Sequence, residues 1–418
     1  MAACLRLAFL LAITASMVEA QVAPEAVRVR LSTGAASAAT VASAGAPLRV
    51  DGLGTVRAAV RLGVRGGEVE AASEGRTHRA PTLVIAGAGV SVRAGGTERT
   101  YLGSLSVRAV RGRLEIVNVV PVEDYVASVV ASEYPFTEPA GIEAQAVLAR
   151  TYALRRAGSR RTYDVDDHTG SQVYRGEGVV TARARRAALA TAGEVLTYGG
   201  DLAEAPYFSS SGGHTANNEA VWRGAPLPYL RGVPDPTDAD SPHHRWTASV
   251  PRDVVHQALS RHLGRRVTRL EIGQQSPNGR VVTVRLGGGG TASGGDVRTA
   301  VNAVRGARTI RSTHFRIRSD GGRYVFEGRG FGHGVGMSQY GARGLARQGL
   351  SHRAILAHYF RGTSIARLGA PRYATDRPEP EVGEPARART WPVPRRVARE
   401  AEREAERRAA TAPRRRAW

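Results

Sequence analysis

The sequence predicts an α+β fold, with a mixed or antiparallel β core and flanking helices that carry the functional edge. Three observations predict it. Short alternating segments separated by glycine, alanine and serine turns fill residues 21–112, the pattern of half-buried strands. Two stretches between Pro121 and Arg156 carry apolar residues at helical spacing. Val267 to Leu286 reads as a hairpin turning at Pro277-Asn278-Gly279, which implies antiparallel pairing.

The elements follow in order. Residues 1–20, MAACLRLAFLLAITASMVEA, have a weakly positive start at Arg6, an apolar run from Leu7 to Val18 and a small-residue site ending at Ala20. They are expected to be a secretory signal peptide, too short to span a bilayer comfortably. Val27 to Leu31 alternates, and Leu114 to Val120 reads as a buried strand. A helix is expected from Pro121, with Glu123 and Asp124 complementing its dipole. It should end near Glu133, because Pro135 biases Tyr134 away from helix. A second helix is expected from Pro139 to Arg156, with Ile142, Ala146, Ala149 and Ala153 as a small-residue packing stripe. Arg160 to Gly178 reads as a polar loop and Thr181 to Ala192 as a helix. Leu202 to Ser211 is expected to be a strand leading into a serine-glycine loop, and Pro226 to His244 to be irregular. Helices are expected over Pro251 to Leu263 and Ser351 to Phe360, the latter with a serine N-cap. After Pro371 proline and charge dominate, and a solvated tail is expected, with a single helix over Val397 to Ala410.

This ordering divides the chain into residues 1–20, a β-rich region at 21–109, a main domain at 110–368 and a tail at 371–418. The β-rich region is either part of the main core or a small accessory domain. A length of 418 residues is ample for either arrangement.

The net charge is +22, and all 59 basic residues are arginine, scattered rather than blocked. That distribution fits compositional bias towards Arg, Ala, Gly and Val. No nucleic-acid partner is expected, although a basic surface suits an anionic polymer such as a cell-wall glycan. The single cysteine, Cys4, lies in the leader. The mature protein is therefore expected to hold no disulfide, thiolate zinc site or cysteine nucleophile. No transmembrane segment is expected after leader cleavage, and the protein should be exported.

Residues 328–344 read GRGFGHGVGMSQYGARG, with glycine at 328, 330, 332, 334 and 336. In an extended chain, alternate residues share a face, so one face would carry no side chain. Glycine inside a strand marks close approach by a ligand or another backbone. The segment is read as the floor of a binding groove, the alternative being a tight corner or bulge. It is expected to turn into a helix at Ser338-Gln339-Tyr340.

Glu133 is the sharpest candidate for chemistry. It lies near the apolar face of its helix and at the negative end, and both settings disfavour its ionised form. A carboxyl with a raised pKa can donate a proton near neutral pH, as glycosidic cleavage needs. The alternative is a glutamate that caps a backbone or pairs with an arginine. Ser209-Ser210-Ser211 lacks the G-x-S-x-G elbow of a serine nucleophile and reads as a ligand-facing loop. Asp164, Asp166, Asp167 and His168 are close in sequence but lack the fixed spacing of a metal site.

Several segments together resemble the SpoIID/LytB family. PVEDYVASVVASEYP at 121–135 is similar to the family's P-x-E-D-Y…E-x-P helix, and AQAVLARTYA at 144–153 to its A-Q-A-x-A-A-R-T-Y-A segment. YFSSSGG at 207–213, Trp222, and PYL at 228–230 follow in the expected order, and GHGVGMSQYG at 332–341 resembles the most distinctive motif. The resemblance spans roughly residues 110–368. It implies a SpoIID-like fold and an exported lytic transglycosylase that cuts peptidoglycan glycan strands stripped of stem peptides. The family's catalytic glutamate falls on Glu133. Arg150, with Tyr152 beside it, is the expected partner of the sugar's lactyl carboxylate, unless Arg150 is spent on an ion pair with Glu123 or Glu143. Ser209, Ser210, Ser211, Gly212, His333, Gly334, Ser338 and Gln339 are expected to line the groove. No cofactor is expected. Some relatives hold zinc in the loop that here reads YDVDDHTGSQVYRG, at 163–176. Asp166 and Ser171 stand at the cysteine places and Gly170 at the histidine place, so that zinc site should be absent, with Gln172 and Tyr174 left to shape the loop. The rival reading is a non-catalytic glycan-binding enhancer of a cell-wall amidase; a muramidase using water is a further one.

Overall fold

A computed structural model describes residues 25–369, except 35 and 223. The expected leader at 1–20 and the charged tail at 371–418 lie outside the described residues. The fold is α+β, with mostly antiparallel sheets and seven α-helices among the described residues.

The N-terminal strands form because their apolar residues alternate. In Ala26–Arg30, Val27 and Val29 are fully buried, whereas the intervening residues are partly exposed. This strand pairs antiparallel with Arg113–Pro121, which pairs in turn with Ser104–Val110. These strands belong to a seven-stranded sheet, extended on one side by Thr82–Ala86, Leu48–Val50 and Gly54–Val56. On the other side Val165–Asp166 adds in parallel to Ala26–Arg30. A second sheet of six antiparallel strands runs from Thr97–Tyr101 to Arg76–Ala80. The buried faces of both sheets share one apolar cluster with the helices that follow. The N-terminal β region is thus built into the main core.

Helix α1 (Val122–Glu133) starts one residue later than expected, with Pro121 as its N-cap and last strand residue. It stops at Glu133 because Tyr134, which precedes Pro135, is extended (φ −113°, ψ 93°). Helix α2 (Pro139–Arg156) matches its expected bounds. Ala146, Ala149 and Ala153 are fully buried, and their small size lets neighbouring elements come close on several sides. One side joins the first core; Ala144, Val147 and Leu148 on the other join a second core. Helix α3 (Ala182–Ala190) is capped by the Thr181 hydroxyl, which accepts from Ala184 N–H.

Helices α4 (Arg252–Leu263) and α5 (Gly294–Arg305) pack with six strands between Trp246 and Gly328 around a third core. The hairpin is present, Arg269–Ile272 pairing with Thr283–Gly287. Helix α5 was not expected. Helices α6 (Gln339–Arg347) and α7 (His352–Tyr359) close the second core, each with a serine N-cap, Ser338 and Ser351. The expected strand over Leu202 to Ser211 is reduced to Asp201–Leu202 and Tyr207–Phe208, the latter parallel to Met337–Ser338.

The glycine-rich segment differs from its expected form. Gly330, Gly332, Gly334 and Gly336 all have positive φ, from 73° to 114°, so the segment is not a pleated strand with one bare face. Each glycine yields to another part of the protein. A Cβ at Gly330 would fall 2.5 Å from the Ser210 carbonyl oxygen, and one at Gly332 would fall 2.7 Å from Phe208 Cβ. At Gly336 it would collide with the Pro206 carbonyl oxygen, and at Gly334 with the Arg280 guanidinium. The close approach is mostly by the chain at 206–211, reinforced by Phe331 N–H donating to Ser210 O at 2.7 Å.

Candidate functional site

The C-terminal end of α1 carries Glu133 into the wall of a cavity of about 1070 Å³. The last turn of α2 adds Tyr152, Arg155 and Arg156. The segment 204–209 adds Glu204, Tyr207 and Ser209, and the glycine-rich stretch adds Phe331, Gly332 and His333. Trp222, 42% exposed, stands at this cavity with its ring 5.0 Å from that of His333. An exposed indole at the rim of a cleft presents an apolar face to a ligand ring.

Glu133 is only part-exposed. Burial pushes its carboxyl above the ordinary value of 4.5, while the Val173 N–H and the Tyr207 hydroxyl, both bonded to it, pull the other way without cancelling. The C-terminal end of α1 acts in the same direction as burial. Tyr207 is itself oriented: Tyr125 Oη donates to Gln172 Oε1 (2.7 Å), and Gln172 Nε2 donates to Tyr207 Oη (3.1 Å). The Tyr207 proton is thereby directed at the carboxylate. Gln339 Nε2 donates to the Glu133 carbonyl oxygen at 3.1 Å and fixes the main chain there. The site thus holds a carboxyl whose pKa burial raises, together with two donors for its charged form.

The second carboxylate among the described lining residues, Glu204, is in the opposite state. Burial opposes its ionisation, but the Arg155 hydrogen bond and the charges of Arg156 and Arg155 outweigh it, and its pKa is lowered. His333 is neutral, its pKa pushed down to about 4 by burial. Its Nδ1 accepts from Val335 N–H (3.1 Å), which leaves Nε2 to donate to Tyr207 O (2.9 Å). Its ring lines the cavity while both nitrogens serve the main chain.

Glu133, Tyr152, Ser209, His333 and Gln339 come together at this cavity. The other expected groove residues do not. Arg150 is fully buried: its Nε donates to Glu123 Oε1 at 3.0 Å, its Nη2 reaches Glu123 Oε2, and further donors go to Glu194 O and Ala188 O. It locks α1 to α2 and the chain beyond, and is removed from the ligand side. Ser210 and Ser338 are buried and donate to Asp238 at 2.9 Å each. The N–H groups of Ser211 and Gly212 donate to the same carboxylate at 2.9 Å. These residues tie the serine loop to the N-terminus of α6. Gly334 is filled by Arg280, as described above.

Asp238 was missed in the sequence because four of its donors, Ser210, Ser211, Gly212 and Ser338, lie 26 to 100 residues away; only His244, at 3.3 Å, is near in sequence. Tyr207 and Gln172 were legible only as motif members. The aspartates of the 163–176 loop are committed to arginines rather than to a cation. Asp164 pairs with Arg28 (2.7 Å), Asp166 with Arg30 (2.6 Å) and Asp167 with Arg99 (3.5 Å). Ser171 Oγ accepts from Asp166 N–H at 3.2 Å, and Tyr174 Oη donates to Asn118 Oδ1 at 2.6 Å. No helix among the described residues is long and apolar enough to cross a membrane.

The fold and site are those of an α+β protein with a buried-acid cleft, and comparison with known proteins is specific about its kind. Residues 110–198 match the family model SpoIID, stage II sporulation protein, and residues 236–336 match a domain of unknown function. Stage II sporulation protein D of Bacillus subtilis is 32% identical over 293 residues, covering 66% of this chain and 83% of that protein. Its counterpart in Bacillus amyloliquefaciens is 34% identical, covering 65% and 82%. The amidase enhancer of Bacillus subtilis is 28% identical, covering 54% of this chain and 37% of that protein. The chain belongs to the SpoIID/LytB family.

Proposed function

We propose that this protein is an exported peptidoglycan lytic transglycosylase. It cleaves the bond from N-acetylmuramic acid to N-acetylglucosamine in strands already stripped of stem peptides. Family membership supports the substrate class. The observation that carries the reaction is the environment of Glu133, an enclosed carboxyl with a raised pKa in the wall of a large cavity.

The chemistry needs one acid. The Glu133 carboxyl gives its proton to the bridging oxygen as the C1–O bond breaks, and the leaving sugar departs with a free hydroxyl. Charge develops on the muramic ring as an oxocarbenium-like centre. The ring's own 6-hydroxyl attacks C1, and the Glu133 carboxylate takes its proton, restoring the acid and leaving a 1,6-anhydro ring. Tyr207 and Val173 N–H stabilise the carboxylate between the two transfers. An intramolecular nucleophile gains from proximity, so no second carboxylate is needed to activate water, in contrast to a hydrolase. Glu204 suits no such base, because Arg155 and Arg156 hold it.

The second reading, a glycan-binding amidase enhancer, is favoured by the similarity to a protein of that name. Glu133→Gln separates the two. The transglycosylase reading predicts that this variant binds peptide-free strands as before but loses cleavage by about 10²-fold or more. Strands bound by both proteins and cut by neither would establish the enhancer reading instead.

A further inference from the structure

The last turn of α2 places two arginines in the same cavity as Glu133. Tyr152 and Arg156 are four residues apart and share a helix face. The Arg156 guanidinium lies 3.6 Å over the Tyr152 ring, and its Nη1 donates to Tyr152 O at 3.3 Å. Arg155 Nε donates to Glu204 Oε1 at 2.8 Å, whereas Arg156 Nη2 reaches Glu204 Oε2 only at 3.4 Å. One carboxylate is thus shared by two guanidiniums. Among the described lining residues the charged side chains are these three and Glu133. Arg155 and Arg156 outnumber Glu204, the one carboxylate they share, by one charge.

We infer that Arg156 is the carboxylate-reading residue of the groove, and that it selects muramic acid whose lactyl carboxylate is free. This rests on the glycan reading above but is separable from it. Arg156 is preoriented by the stack on Tyr152, which lowers the ordering cost of a bidentate contact. Its loose contact with Glu204 leaves donors for an incoming carboxylate, and its side chain is 31% exposed. A stem peptide would convert that carboxylate to a neutral amide, with no charge for Arg156 to pair. Arg155 is the more tightly held partner that keeps Glu204 in place.

The test is equilibrium binding, carried out in the Glu133→Gln protein so that no strand is cut. The ligands are peptide-free glycan strands and the same strands with their lactyl carboxyls amidated. The parent is expected to prefer the carboxylate form. Arg156→Gln should weaken binding of that form roughly tenfold and leave the amidated form unchanged, so that the preference collapses. Glu204→Gln, which removes the competing carboxylate, should strengthen the preference, an effect that general disruption of the groove would not produce. An Arg156→Gln protein that binds strands with its preference intact overturns the assignment alone. A parent that binds neither strand form overturns the glycan reading and this assignment with it.

Discussion

Glu133 combines a carboxyl whose pKa burial raises with two donors, Val173 N–H and the Tyr207 hydroxyl, that stabilise its charged form. Its pKa is raised above 4.5 by burial, so the fold favours the protonated form. The carboxyl therefore costs stability as pH rises through its folded-state value, and the cost is absent below the ordinary value. Glu133→Gln is accordingly expected to raise the thermal unfolding midpoint at neutral pH, the gain disappearing as pH falls through 4.5. Melting curves across pH check this. The same sign governs activity, because cleavage should decline as pH rises through the raised pKa. Tyr207→Phe removes a donor that stabilises the carboxylate. That alkaline limb should move to higher pH, with a rate loss on the order of tenfold, read from the pH profile of strand cleavage. Glu133 was legible in the sequence because helix periodicity and Pro135 fix where α1 stops. Its donors were not, since Val173 and Tyr207 lie 40 and 74 positions away and reach it only through folding.

The elements that hold the site are joined by buried polar links. Arg150 and Glu123 bind α1 to α2, and removing one partner leaves the other charge buried. Arg150→Met is expected to destabilise the protein by about 3–5 kcal/mol, seen in denaturant unfolding. A groove contact would instead leave stability unchanged and weaken strand binding. The ion pair with Glu123 was one of two readings open in the sequence, and complete burial decides it. The glycine-rich segment makes a second link. Gly336→Ala would place a Cβ against the Pro206 carbonyl oxygen at φ 78°. It should cost more than about 1 kcal/mol and disturb His333. The alternation of glycines was visible and so was the implied close approach, but the approaching partner is the protein's own chain. A period-2 pattern does not distinguish a bare strand face from a series of left-handed turns. Helix α5 escaped notice because it begins Gly294-Gly295, yet its capping box was present: Ser293 Oγ accepts from Asp296 N–H, and Asp296 Oδ2 accepts from Ser293 N–H.

On the scale of the whole molecule, the described residues pack into three apolar clusters, two of which hold the site. The first joins the N-terminal sheets to α1 and so fixes the end that carries Glu133. The second joins the middle of α2 to α6 and α7 and so fixes the helix that carries Gln339. The third, from Trp246 to Phe326, lies within the separately matched region 236–336. The antiparallel hairpin and helices of these layers were legible because periodicity is local. The merger of the β-rich region with the main core was not, because it depends on pairing between Ala26–Arg30 and Arg113–Pro121 across nearly a hundred residues. The cavity lies among elements of the first two clusters, with one carboxyl raised in pKa by burial and the other held by arginines. That arrangement predicts cleavage in which solvent takes no part. The most direct measurement is mass spectrometry of products formed from peptide-free strands in ¹⁸O-labelled water. The account predicts 1,6-anhydro-muramic ends with no ¹⁸O, formed by the wild type and lost in Glu133→Gln. Free reducing ends carrying ¹⁸O would contradict it and show that water is the nucleophile.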